Sequence, residues 1–133
     1  MIPNELKNAK PLTGKERLGA NRDSEYMGAE DIEPGKEPIL TIRNLYYANV
    51  TLARGKEWKD VITFEEERVD GINVVRPLIV NATNRKTLRK IYKSVTADSL
   101  CGKQIQLYLE HNVRDPSTGD KIDGIRIRPK VPA

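Results

Sequence analysis

The sequence predicts a mainly-β domain: a five-stranded Greek-key barrel with one helix between the third and fourth strands. Two observations carry that expectation. Five segments alternate apolar and polar residues with period two, the pattern of half-buried strands. One segment, between the third and fourth of them, changes to helical period. The chain has 133 residues, the size of a single domain. Hydrophobic residues make up 38% of it and charged residues 32%, which allows one modest core with polar chain outside it.

Residues 1–25 show no apolar periodicity, and Pro3, Pro11, Gly14 and Gly19 interrupt them. They are expected to form a flexible N-terminal arm, with the folded domain over residues 26–133. Tyr26 to Ile32 reads as a short amphipathic turn, and Glu33-Pro34-Gly35-Lys36 supplies turn chemistry. The first strand is Ile39 to Leu52, with Leu40, Ile42 and the following even positions inside and Tyr47 among the odd positions outside. A bulge, common in strands of this length, would swap the two sets beyond it. Residues 53–59 read as a loop and Asp60 to Glu66 as the second strand. Asp70-Gly71 marks a hairpin. Ile72 to Val80 follows as the third strand, on an edge or bulged because of Pro77. Asn81 to Asn84 offer capping side chains. Leu88, Ile91 and Tyr92 recur at helical spacing, so a helix is expected from about Asn84 to Lys93. Lys103 to His111 and Lys121 to Arg128 are the fourth and fifth strands. A shared interior is expected for Leu40, Ile42, Ile62, Phe64, Val74, Leu78, Ile105, Leu107, Ile125 and Ile127.

Three strands, a helix and two strands is the element order of an OB-fold, in which the helix plugs one end of the barrel. The rival is an open sheet with the helix on one face. Three stretches also resemble a family: residues 78–88 (Leu78-Ile79-Val80-Asn81-Ala82-Thr83-Asn84-Arg85-Lys86-Thr87-Leu88), Gly102-Lys103-Gln104-Ile105-Gln106-Leu107-Tyr108 and Asp123-Gly124-Ile125-Arg126-Ile127-Arg128-Pro129. They are similar to a pattern in small OB-fold-like proteins of phages, prophages and other mobile elements, and the similarity runs from about Tyr26 to Pro129. The resemblance implies an OB-fold module with a role in DNA metabolism, in the cytoplasm of a bacterial host. Leu100 stands where that pattern has Trp, a position that either contacts ligand or lies in the core.

Charge is distributed unevenly. Lys and Arg number 23 against 19 Asp and Glu, but residues 1–37 carry six basic and eight acidic side chains, and residues 38–133 carry seventeen and eleven. The expected domain is therefore the basic part. Cys101 is the only cysteine, which excludes an internal disulfide and suggests a reducing compartment. It reads as a small core residue. His111 is the only histidine, with no Cys or Asp at triad or metal spacing. The sequence has no P-loop, nucleophile elbow, paired His or Cys pair, so no enzymatic activity, cofactor or metal is expected. No apolar run reaches the roughly 20 residues of a membrane span.

Two groups of residues carry the functional expectation. Arg54, Lys56 and Lys59 surround Trp58, the only Trp, beside Gly55. Tyr47, Tyr108, Arg126 and Arg128 are expected together on the outer face of neighbouring strands. Aromatic rings interleaved with cations are the chemistry of single-stranded nucleic acid binding: bases stack on the rings and cations meet the phosphates. The same residue types also make protein interfaces. The alternative is therefore a protein-interaction or assembly module, with a protein partner or a second copy of the chain. The cations of the helix (Arg85, Lys86, Arg89, Lys90 and Lys93) and the run Glu65-Glu66-Glu67 read as solvated.

Overall fold

A computed structural model describes residues 6–9, 11–13, 25–52, 55–72, 74–114 and 119–132. The arm expected over residues 1–25 falls largely outside these, as does Arg54. The fold is mainly β. Strands β1 (Ile39–Leu52), β2 (Gly55–Phe64), β3 (Leu78–Val80), β4 (Gln104–Arg114) and β5 (Lys121–Ile127) form one sheet in the order β3-β2-β1-β4-β5. Every ladder is antiparallel. An isolated bridge between Ile32 and Ile72 sets one more extended segment alongside. Helices α1 (Ala82–Tyr92) and α2 (Ala97–Leu100) lie between β3 and β4. None of the described helices is long and apolar enough to cross a membrane.

The β1–β2 hairpin organises the molecule. Ile42 pairs with Phe64, but Asn44 pairs with Thr63, so Arg43 is an extra residue with no partner opposite. This bulge exchanges the two faces of β1. Before it, Leu40 and Ile42 point into the core; after it, Leu45 does, opposite Ile62. Tyr46 then turns outward and Tyr47 inward, the reverse of simple alternation. Glu66 holds the strand just ahead of the bulge: its carboxylate accepts from the Thr41 N–H and the Thr41 hydroxyl, both at 2.7 Å. Glu66 is thus a structural residue and not part of a solvated strand end.

Several boundaries differ from the sequence expectation. β2 begins at Gly55, so the segment expected to be a loop around Trp58 is strand. Gly55 takes φ +111° at the turn, a conformation that favours glycine. β3 is only three residues, because Pro77 has no N–H for a ladder. The Asp70-Gly71 signal holds as a tight turn, with Gly71 at φ +94° and Val69 bridged to Ile72. Helix α1 starts at an N-cap where Asn81 Oδ1 accepts from the Asn84 N–H at 2.8 Å. It ends at Lys93, with φ +60°. The short helix α2 was not foreseen; Thr96 caps it by accepting from the Ser99 N–H at 3.3 Å.

The core contains nine of the ten residues expected there, joined by Met27, Ile32, Ile72, Val80, Leu88 and Leu100. Val74 is the exception, 41% exposed in the segment before β3. Leu100 is fully buried, so the position that carries Trp in the resembled pattern is a core position here. Cys101 is exposed beside it, which corrects the expectation of a core cysteine.

The sheet is not closed into a barrel, and no ladder joins β3 to β5 among the described residues. β3 is too short to provide one. A side chain fills the seam instead. Asn84, 1% exposed, donates from Nδ2 to the Ile125 carbonyl at 3.1 Å and accepts at Oδ1 from the Ile127 N–H at 3.2 Å. One side-chain amide thus engages two backbone groups of β5 that a neighbouring strand could have taken, and no buried polar group is left unpaired there.

Candidate functional site

The expected site residues fall into two groups on opposite faces. Tyr47 lies seven positions along β1 from Leu40, whose partner in β4 is Ile105. Tyr108 lies three positions from Ile105 in the opposite direction along the sheet. Ten positions of strand correspond to roughly 33 Å. Ile105 and Leu107 face the core, so Tyr108 faces outward, whereas the Arg43 bulge turns Tyr47 inward. The single surface expected for Tyr47, Tyr108, Arg126 and Arg128 therefore does not exist.

On the outer face of β4 and β5, Tyr108 is paired with Arg126. The Arg128 guanidinium lies over the Tyr108 ring, 3.8 Å from its centroid. Both arginines already have anionic partners. Arg128 makes two 2.7 Å bonds to the Glu37 carboxylate, and Arg126 makes one of 2.7 Å to Glu110. The Arg128 hydrogen bonds hold the Glu37 carboxyl below its ordinary pKa, and Glu37 raises that of Arg128 in turn. A phosphate binding here would have to displace bidentate carboxylate contacts. His111 is also partnered, with Nδ1 2.8 Å from Asp123 across the same hairpin, a pairing the sequence did not reveal.

The inner face of the β1–β2 hairpin differs. Asn49 is opposite Trp58 and Tyr47 opposite Asp60, which makes Tyr47 and Trp58 diagonal neighbours on one face. Their rings stack with centroids 5.3 Å apart and planes 28° from parallel. Both remain largely in water, 68% exposed for Tyr47 and 57% for Trp58. Each ring restricts the other, and such pairs contribute about 0.5–1.5 kcal/mol beyond their buried area. Period two along β2 places Lys56 on this face and Lys59 on the other, where it pairs with Glu57 at 3.4 Å.

Next to the stack lies a cavity of about 340 Å³ between the hairpin and the two helices. Leu45, Ile62, Val80, Leu88, Val95 and Leu100 give it apolar walls, and Tyr47, Asp60 and Arg85 add polar chemistry. Arg85 Nη1 stands 3.9 Å from Asp60 Oδ2, and each side chain is about half exposed. Tyr47 is common to both features: it stacks on Trp58 and lines the cavity. Sequence reading missed Asp60 and took Arg85 for a solvated cation. The signal that could have exposed Asp60 was the full length of β2, because period two from Gly55 onward puts Lys56, Trp58, Asp60 and Ile62 in one row. Among the described residues, no three His, Cys, Asp or Glu side chains are grouped to hold a metal ion. Comparison of the chain with known protein families, curated proteins and solved structures found no match.

Proposed function

We propose that the chain is a non-enzymatic module that binds single-stranded nucleic acid on the inner face of the β1–β2 hairpin. The observation that carries this reading is the exposed Tyr47–Trp58 stack, preorganised beside an open cavity with Lys56 and Arg85 nearby. Every base has a π-face, and stacking on an aromatic side chain is worth about 1–3 kcal/mol per base. The strand arrangement supports an OB-type module: β1 neighbours β4, β4 neighbours β5, and α1 lies between β3 and β4. OB-folds are partly open barrels, and the Asn84 seam fits that description. The resemblance to small phage and mobile-element proteins points toward a role in their DNA metabolism.

Trp58 is the only tryptophan, so its fluorescence reads the site directly. The test is titration of the full chain with a 15-nucleotide oligo-dT at several salt concentrations. Binding is expected to quench Trp58 and to weaken with salt, with a log–log slope of about −0.7 per phosphate neutralised. Absence of quenching at low salt overturns the proposal and favours the assembly-module reading, in which the exposed rings meet a protein partner.

A further inference from the structure

Asp60 is the residue that strand binding alone does not explain. A carboxylate in the middle of a face that meets a polyanion opposes binding, unless it meets hydrogen-bond donors. Asp60 lies on the same face as Trp58 and Tyr47, is half exposed, and lines the cavity beside Arg85. The 3.9 Å separation of Asp60 and Arg85 leaves them adjacent without a short hydrogen bond between these atoms. An anionic carboxylate only accepts, and a guanidinium only donates. The two therefore set acceptor oxygens next to a donor.

We infer that this cavity is a base-reading pocket for guanine. The inference rests on the strand-binding function proposed above and assigns the base it selects. Guanine carries two adjacent donors, N1–H and the N2 amino group, with the acceptor O6 beside them. The Asp60 carboxylate takes the two donors in parallel, and Arg85 donates to O6. Thymine offers a single ring N–H, and adenine offers one amino group next to a bare ring nitrogen. Neither satisfies both carboxylate oxygens. Cytosine presents one amino donor and so leaves one oxygen without a partner. The pocket volume, about 340 Å³, lies near the lower end of the roughly 300–1,000 Å³ of ligand sites and has room for one base. Apolar walls from Leu45, Ile62 and Leu88 exclude water from the base plane, and Tyr47 links the pocket to the next base on Trp58.

The test uses the full chain and a set of 15-nucleotide oligo-dT strands that carry one guanine, inosine, adenine or cytosine at the centre, read by Trp58 fluorescence. Guanine is expected to bind about tenfold tighter than oligo-dT, within the discrimination of a good bidentate contact. Inosine, which lacks the N2 amino group, should lose most of that gain. Asp60→Asn, which exchanges one acceptor for a donor, should abolish the guanine preference. Equal affinity for all strands, or a preference for cytosine or adenine, overturns the guanine assignment while strand binding stands. No binding to any strand overturns both. The inosine comparison needs no protein variant, so it remains decisive even if Asp60→Asn fails to fold.

Discussion

Replacing Asn84 with Ala removes the partners of the Ile125 carbonyl and the Ile127 N–H at once, inside a region closed to water. Each unsatisfied buried group costs about 1–3 kcal/mol, so Asn84→Ala is expected to lower stability by about 2–5 kcal/mol in urea denaturation. Asn84→Asp should do no better, because a carboxylate has no donor for the carbonyl and brings a charge into the seam. A surface substitution such as Lys121→Ala should stay within about 0.5 kcal/mol of wild type. At the binding face, the effects should separate by chemistry. Trp58→Ala is expected to weaken oligonucleotide binding by about 5- to 150-fold with an unchanged salt slope, measured by anisotropy of a labelled strand. Lys56→Ala should flatten the slope by about 0.7. Arg126→Ala and Arg128→Ala should leave the slope alone, since their charges are met by Glu110 and Glu37. At this scale residue types were legible but neighbours were not. Trp58 could be singled out as the only Trp, yet nothing local in the sequence pairs Glu66 with Thr41, His111 with Asp123 or Asn84 with β5.

A single extra residue in β1 lets Ile42 and Tyr47 share one face although they lie five positions apart. Deleting Arg43 should close the bulge and keep the register, with Leu45 still opposite Ile62 and Tyr47 still opposite Asp60 on the inner face. The expected result is a retained Tyr47–Trp58 stack, visible as an unchanged Trp58 near-ultraviolet circular dichroism signal, and retained strand binding. Glu66→Gln should weaken the clamp on Thr41 by about 1 kcal/mol without moving the register, because an amide oxygen accepts less strongly than a carboxylate. All five strands and α1 were anticipated, because period two and the Asn81 cap are local signals. The possibility of a bulge was also legible from strand length, but its position was not. It is set by the pairing of β1 with β2, which places the unpaired residue between Ile42 and Asn44. The extent of β2 was misread for a related reason: Gly55 to Lys59 is polar enough to pass for a loop and is held extended by its partners Ala48 to Leu52.

Glu37 and Arg128 join the approach to β1 with the end of β5. Glu37 has its pKa lowered below the ordinary 4.5, chiefly by the Arg128 hydrogen bonds. A lowered carboxyl stabilises the folded state fully above its unfolded value and loses that contribution as pH falls through the folded value. The melting temperature of wild type should therefore fall more steeply than that of Glu37→Gln as pH drops below about 4.5, with Glu37→Gln the less stable near neutrality. Equal acid sensitivity of the two proteins would count against the pair. The exposure of both side chains limits the effect, and added salt should narrow the difference. The mainly-β architecture was legible at this scale from the order of strands and helix. Closure was not, because it depends on Pro77 truncating β3 and on a side chain standing where a ladder was expected.

The amide proton of Ile127 has an unusual dependence for a strand residue: its acceptor is a side chain carried by a different element. A ladder bond breaks only when two strands part, but this one breaks whenever the Asn84 rotamer lets go or α1 shifts against β5. In deuterium-labelling experiments, Ile127 would therefore lose protection in small local openings that leave the β1–β2 amides protected. Its exchange rate is a measure of how often the seam breathes.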